Sequence, residues 1–363
     1  MIETIETRLN RIYESFGYRK FKMSKFEPYD LYAQNRDFLK SGKIITFTDL
    51  NGTLLALKPD ITLSIIKNNC GDEEKVYYNE TVYRAQGDTY KEIMQAGVEC
   101  IGKIDGFAVA EVLLLAMKSL KAVSENIRLN LSDAAFTGLL LDTMQPDPET
   151  RKKLLSCIAS KNTAGIQTLA DQGRITEGNA IALSRLTRLH LPLKEGIEEI
   201  RTLSPNKEGD RVLEELRLLS RILEAGGMGE QIFLDFSLVN SMDYYDDVIF
   251  QGFIEGIPFS VLSGGRYDRL PEKMGKNLGA VGFAVYLDRI DAYLTEDRKY
   301  DGDCLLVYGE EDDFQKIMEL AEQMRRKGKS VRCVRRDHLD VRKRALRFRE
   351  TAECPGKGEE VHD

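Results

Sequence analysis

Glu92-Ile93-Met94-Gln95-Ala96-Gly97-Val98-Glu99-Cys100-Ile101 is the stretch on which the reading of this chain turns. Side chains of a β-strand alternate between faces, so a strand here puts Met94, Ala96, Val98 and Cys100 on one side, small and apolar as a core requires. Gln95, Gly97 and Glu99 line the other side. A glycine between two long polar side chains leaves a hollow floored by backbone. An amide, which donates and accepts, and a carboxylate, which accepts, flank that hollow. Such a hollow suits a small cationic ligand. A solvated outer sheet face explains the same alternation, and this segment alone favours that plainer reading.

Working outward, residues 76–83 form the partner strand, joined through the polar tip Gln86-Gly87-Asp88. Earlier, Ile5, Leu9, Ile12 and Tyr13 fall at helical spacing over residues 2–16, and Gly17 ends that helix. Residues 44–57 carry two β-prone runs around Asn51-Gly52, a hairpin signal. A long helix is predicted over 107–121 and a short strand over 127–131. Residues 133–228 read as successive helices, broken at Gln145-Pro146-Asp147-Pro148, Gly173 and Ser204-Pro205-Asn206. Strands return at 231–238, 248–254 and 258–262. Strand 304–308, helix 313–327 and strand 330–334 make a compact α/β unit, and the tail around Pro355-Gly356-Lys357-Gly358 is expected to be disordered. The fold class is therefore α+β, a mostly antiparallel sheet core carrying a helical insert. The expected divisions are residues 1–132 (core, first part), 133–228 (insert), 229–298 (core, second part) and 299–363 (C-terminal unit and tail).

Further segments carry chemistry. In Leu57-Lys58-Pro59-Asp60-Ile61-Thr62 the proline ends a strand, and Asp60 or Thr62 either caps the next helix or turns toward Gln95 and Glu99. Asp243-Tyr244-Tyr245 precedes a hairpin, where tyrosines pack with their hydroxyls at the rim. Ser263-Gly264-Gly265-Arg266-Tyr267-Asp268 permits a tight turn. In Gly279-Ala280-Val281-Gly282-Phe283-Ala284-Val285-Tyr286-Leu287-Asp288-Arg289 the small residues allow close packing, and Arg289 sits on a helix.

Composition bounds the function. Of 363 residues, 42% are hydrophobic and 31% charged, enough for two or three domains. No apolar run is long enough to span a bilayer, and Met1-Ile2-Glu3-Thr4-Ile5-Glu6 is not a secretory signal. Six dispersed cysteines and three histidines suggest no zinc site; reduced thiols in a cytoplasmic protein, with no cofactor, is the expectation. A net charge of −7 argues against a nucleic-acid protein, whose affinity comes largely from phosphate neutralisation. The basic run from Arg325 to Arg349, including Arg342, Lys343 and Arg344, reads as a solvated face or partner surface. It has no aromatics between Arg325 and Arg347 to act as a stacking platform for RNA.

Taken in order, these segments resemble the histidyl-tRNA synthetases, a class II aminoacyl-tRNA synthetase family. Tyr77-Tyr78, Tyr83-Arg84, then Gln95-x-Gly97-x-Glu99-x-x-Gly102 resemble its motif 2. Leu57-Lys58-Pro59-Asp60-x-Thr62 is similar to its L-R-P-E-x-T. Asp243-Tyr244-Tyr245 and Gly264-Gly265-Arg266-Tyr267-Asp268 resemble its two histidine signatures, and Gly282-Phe283-Ala284 with Arg289 its motif 3. By position the resemblance implies that Asp60, Thr62 and Gln95 hold the α-amino group of L-histidine. It likewise implies that Glu99 and Tyr245 bond the imidazole and that Tyr267 closes the pocket, with Arg84 and Arg289 as phosphate- or anion-binding candidates.

The departures point away from catalysis. The arginine and glycine of the family's R-G-L-D-Y-Y are Asn240 and Ser241, and a neutral amide poorly stabilises charge at a phosphoryl centre. Gln86 replaces a motif 2 glutamate, Ser24 a motif 1 proline and Tyr286 a motif 3 glycine. The loop between Arg84 and Gln95 is short and lacks a cation-rich tip, and the anticodon-domain-like unit is truncated. The chain is similar in these losses to the family's paralogues that serve as regulatory subunits of short-form ATP phosphoribosyltransferase, at the first step of histidine biosynthesis. That resemblance implies a non-catalytic class II dimer within a hetero-oligomer, partnered by the short catalytic subunit and sensing histidine. A shortened, active synthetase is the competing reading. Neither a membrane nor tRNA is an expected partner.

Overall fold

The computed structural model describes residues 4–39, 43–69, 71, 73–241, 245–296, 300–339 and 347–353. Two compact units divide near Asp291.

Residues 3–290 are built on a nine-stranded sheet among the described residues. Its longest strands are the hairpin of Glu74–Gln86 and Thr89–Gly102, second and third in the strand order and paired antiparallel from Glu74↔Ile101 to Gln86↔Thr89. Only Gly87 and Asp88 form the turn, with Gly87 at φ +61°. Thr89–Gly102 then pairs with Gly279–Tyr286, that strand with Leu262–Arg266, and that with Val248–Ile254, all antiparallel. Ile127–Asp133 continues the sheet antiparallel. The parallel pairs lie toward the edges: Arg19–Lys20 on Glu74–Gln86, and Ile232–Leu234 on Ile127–Asp133.

The core follows from the alternation. Ala96, Val98 and Cys100 are buried on one face, against which helix Gly106–Lys121 packs with helix Ile5–Ser15 beside it. Asp105 caps the longer helix, accepting from the Ala108 amide at 2.9 Å, and its apolar face (Val109, Val112, Leu113, Ala116, Leu120) is fully or nearly buried. Burial of such side chains stabilises by roughly 1.5–3 kcal/mol each.

The helical insert carries its own punctuation. Asp147 and Asn206 accept from backbone amides of the helices that follow them, Pro148–Ala159 and Lys207–Ala225, so the breaks read in the sequence are caps. The insert is not wholly helical: Leu191–Pro192 adds an antiparallel edge strand to Ile232–Leu234.

Two strand predictions need correction, and a third strand of the structure was not expected from the sequence. The strand expected over 231–238 stops at Leu234, because the Asp235 carboxylate accepts from the amide and hydroxyl of Ser237 and turns the chain into a 3₁₀ segment. The strand expected over 258–262 instead runs Leu262–Arg266. Gly264-Gly265 is thus strand rather than tight turn. A Cβ on Gly264 would lie 2.4 Å from the Gly282 carbonyl oxygen, so the glycine serves close strand approach. The third is an unforeseen edge strand, Phe348–Glu353.

That strand belongs to the second unit, where Val331–Arg335, Gly302–Tyr308 and Phe348–Glu353 form a parallel sheet. Helix Phe314–Arg326 packs through Ile317 and Ala321 against Leu306. Much of the basic run there is ion-paired on the surface: Lys329 with Glu350, Arg335 with Asp337 and Arg336 with Glu353. Arg342, Lys343, Arg344 and the tail from 354 lie outside the described residues.

Candidate functional site

The face opposite the Gly106–Lys121 helix carries the site. Register fixes its floor: Glu99 stands opposite Gly282, Gly97 opposite Ala284, and Gln95 opposite Tyr286. One strand further, Gly265 faces Gly282 and Ser263 faces Ala284. Small residues therefore pave the middle of the sheet, and long polar ones wall its ends.

Those small residues are not bare. Over Gly97 lies the Tyr78 ring: a Cβ there would meet the Tyr78 hydroxyl at 2.5 Å and the Phe283 carbonyl oxygen at 2.1 Å. The expected hollow above Gly97 is thus occupied by Tyr78, and the open space lies beside it. Glu99 in turn lies across Gly282, where a Cβ would fall 1.8 Å from its Oε2.

Asp60, Thr62, Gln95, Glu99, Tyr245 and Tyr267 all line one cavity, together with Arg84. Gln95 and Glu99 are 3% and 2% exposed, so the outer-face reading of this strand is excluded. The Thr62 hydroxyl donates to Glu99 Oε1 at 2.8 Å, and the Tyr267 hydroxyl donates to Oε2. Asp60 serves both uses left open by the sequence. Its Oδ1 accepts from the Leu63 amide at 3.1 Å, tying down the start of helix Thr62–Asn68, while it faces the cavity. Tyr245 and Tyr267 meet edge to face with centroids 6.3 Å apart. Two residues before Asp60 in the chain, the fully buried Lys58 ammonium donates to Glu80 at 2.7 Å.

Burial dominates the electrostatics. It pushes the Glu99 carboxyl up to about 8, with Asp60 adding to the rise and the Tyr267 and Thr62 hydrogen bonds opposing it. The phenols of Tyr78 and Tyr245 are raised well above their ordinary value, again chiefly by burial.

The two arginines behave differently. Arg84 lines the cavity, its Nε donating to the Pro59 carbonyl at 2.8 Å and its Nη2 3.5 Å from Asp60. Arg289 is not among the lining residues. Its guanidinium stacks 4.3 Å from the Tyr286 ring centroid and donates to the Ser260 carbonyl. Sequence reasoning did not list Tyr78, Ser263 or Tyr286 as site residues, yet all three line the cavity. Strand parity with Gln95 and Gly97 was the signal available for Tyr78 and Tyr286. Asp243 and Tyr244 lie outside the described residues.

A mostly antiparallel sheet with helices behind it and a buried polar cavity in front defines a class II synthetase-type core of histidyl kind. The sequence model of the histidyl-tRNA synthetase family matches residues 1–290. A Clostridium kluyveri protein named ATP phosphoribosyltransferase regulatory subunit is 30% identical over 359 residues, covering 95% of this chain and 91% of that one. The crystal structure of an ATP phosphoribosyltransferase regulatory subunit/histidyl-tRNA synthetase from Bacillus halodurans C superposes with a TM-score of 0.76 at 25% identity, over 96% of this chain and 93% of the other. A chain of the ATP phosphoribosyl transferase (HisG:HisZ) complex from Thermotoga maritima shares the fold, with TM-score 0.62 at 18% identity over 78% of this chain and 96% of that chain. The chain belongs to the histidyl-tRNA synthetase family, in its branch of ATP phosphoribosyltransferase regulatory subunits.

Proposed function

We propose that this chain acts as the non-catalytic regulatory subunit of ATP phosphoribosyltransferase, binds free L-histidine in the Glu99 cavity, and passes that occupancy to a short catalytic chain in a cytoplasmic hetero-oligomer. The observation that carries the ligand reading is the meeting of Asp60, Gln95 and Glu99 in one buried, hydroxyl-rich cavity. An ammonium is recognised by Asp60 and Gln95, and an imidazole, with a donor and an acceptor nitrogen, by Glu99 and the Tyr245 hydroxyl. The partner reading rests on family membership and on the relatives' names. Self-association through the three-stranded antiparallel sheet of Phe26–Pro28, Leu54–Leu57 and Thr46–Thr48 is supported by Phe26 and Phe47. Their rings meet 5.6 Å apart, and each is more than a third exposed, an apolar surface of the kind that partners cover.

If histidine regulates catalysis in another chain, its affinity must change reciprocally with assembly state. The test is ATP–phosphoribosyl-pyrophosphate condensation by the short catalytic chain, alone and mixed with this one, with and without histidine. Mixing raises activity and histidine then inhibits. A Gln95→Ala/Glu99→Ala double variant still activates but resists histidine. Full histidine sensitivity in that variant would move feedback to the catalytic chain and leave this one an activating scaffold.

A further inference from the structure

The cavity is polarised along its strands. Glu99 stands at one end, and four residues away, about 13 Å at strand rise, Gln95 faces Tyr286 across the ladder. Arg84, the one cation among the lining residues, starts from beyond Gln95, opposite Lys91, on the side away from Glu99. A zwitterionic amino acid placed in this field turns its side chain to Glu99 and its carboxylate to the Arg84 side. That is the end at which Tyr286 stands.

Tyr286 is held there from two sides. Its hydroxyl lies 2.6 Å from the Ser263 hydroxyl across the sheet. The Arg289 guanidinium covers its ring at 4.3 Å, with Phe259 5.4 Å from the same guanidinium. Arg289 is itself fixed by donating to the Ser260 carbonyl. The ring is 6% exposed, so swinging it aside breaks a cation–π contact and a hydroxyl pair together.

We infer that Tyr286 is the residue that limits this pocket to free amino acids, by closing the cavity at the ligand's carboxyl end so that esters and aminoacyl-adenylates are refused. This deepens the amino-acid reading proposed above and rests on it. Specificity here comes from a built-in clash with the extended ligand, and Arg289 serves as the brace of that wall rather than as an anion ligand.

The test is calorimetric binding of L-histidine, L-histidine methyl ester and a non-hydrolysable histidyl-adenylate analogue to the full chain and to Tyr286→Phe and Tyr286→Gly. The wild type binds histidine and refuses both extended ligands by at least 100-fold. Tyr286→Phe keeps the ring and the discrimination. Tyr286→Gly brings the extended ligands within tenfold of histidine while its own histidine affinity moves by less than tenfold. Equal wild-type affinity for histidine and its ester overturns the inference, as does persisting refusal in Tyr286→Gly. Should a different free amino acid bind instead, the histidine reading fails, and the comparison is made with that acid and its ester. Binding of no free amino acid overturns both.

Discussion

If the cavity takes histidine as proposed, the Glu99 carboxyl, pushed up to about 8 by burial, makes that binding pH-dependent in a form that can be worked out beforehand. Between about pH 6.5, the ordinary imidazole pKa, and pH 8, free histidine carries a neutral ring and the empty site a protonated Glu99. A buried site that resists one charge this strongly favours a neutral pair: either carboxylic acid with imidazole or carboxylate with imidazolium. Both forms hold one proton between them, so binding in this window neither takes up nor releases one. Below it, the free ligand must lose a proton to bind. Above it, the free site has already lost its proton and must regain it.

Affinity is therefore flat from about pH 6.5 to 8 and falls on each side by up to tenfold, about 1.4 kcal/mol, per pH unit. Glu99→Gln weakens binding on the plateau by roughly 1.5–3 kcal/mol through loss of a charged partner. It also abolishes the part of the alkaline fall that Glu99 causes, leaving only the loss that comes from the ligand's own ammonium. Calorimetry between pH 5.5 and 9, in buffers of differing ionisation enthalpy, reads both affinity and proton uptake. Affinity that climbs through pH 8, with one proton released per ligand, would refute the shared-proton argument. Unchanged affinity in Glu99→Gln would place the site elsewhere.

The same carboxyl acts on stability with a definite sign. Its folded pKa lies above its ordinary value of 4.5, so between those values the folded chain holds a proton the unfolded chain has released, and stability falls as pH rises. The slope integrates to about 5 kcal/mol by pH 8. Glu99→Gln removes it, and denaturant titrations at pH 5 and pH 8.5 should differ less in the variant than in the wild type. Lys58 and Glu80 should respond unequally to truncation. Glu80→Gln strands a fully buried ammonium and costs about 3–5 kcal/mol, whereas Lys58→Met leaves a carboxylate that still reaches solvent and costs less; equal losses in urea melts would contradict this. Finally, histidine-dependent ATP–pyrophosphate exchange should be absent, since one missing charge stabiliser costs about 10²–10³ in rate, and Asn240 and Gln86 both replace family residues. Exchange at an ordinary synthetase rate would contradict the regulatory role.

Local signals made much of this fold legible. The alternation of residues 93–101 set both a core face and a cavity-lining face, Asn51-Gly52 set a hairpin, and polar breaks of the insert proved to be helix caps. The failures arose where a distant segment decides. Gly264-Gly265 looks like a turn because nothing nearby in sequence reveals that Gly282 and Phe283 press on it. Phe348–Glu353 alternates too weakly to read as a strand, being an exposed edge whose pairing comes from residues 302–307. The filling of the Gly97 hollow by Tyr78 depends on a register that residues 92–101 alone cannot specify.

The residues that line the cavity are also folding residues. Asp60 accepts a buried amide of the Thr62–Asn68 helix, Tyr267 and Tyr78 sit in the hydrophobic cluster beneath that helix, and Gly282 must lack a side chain for Glu99 to lie where it does. Changing any of them leaves a cavity, a clash or an unmatched buried group. The Tyr286 and Arg84 end of the cavity is constrained differently. Tyr286 packs on Arg289 at one end, and the hairpin beyond Arg84 is reduced to a two-residue turn. Neither change disturbs the sheet, which keeps continuous pairing from Glu74 through Tyr286. A chain of this architecture can therefore change the Tyr286 and Arg84 end of its cavity without breaking the sheet, while the Asp60 and Glu99 end is held in place by the energetics of its own core.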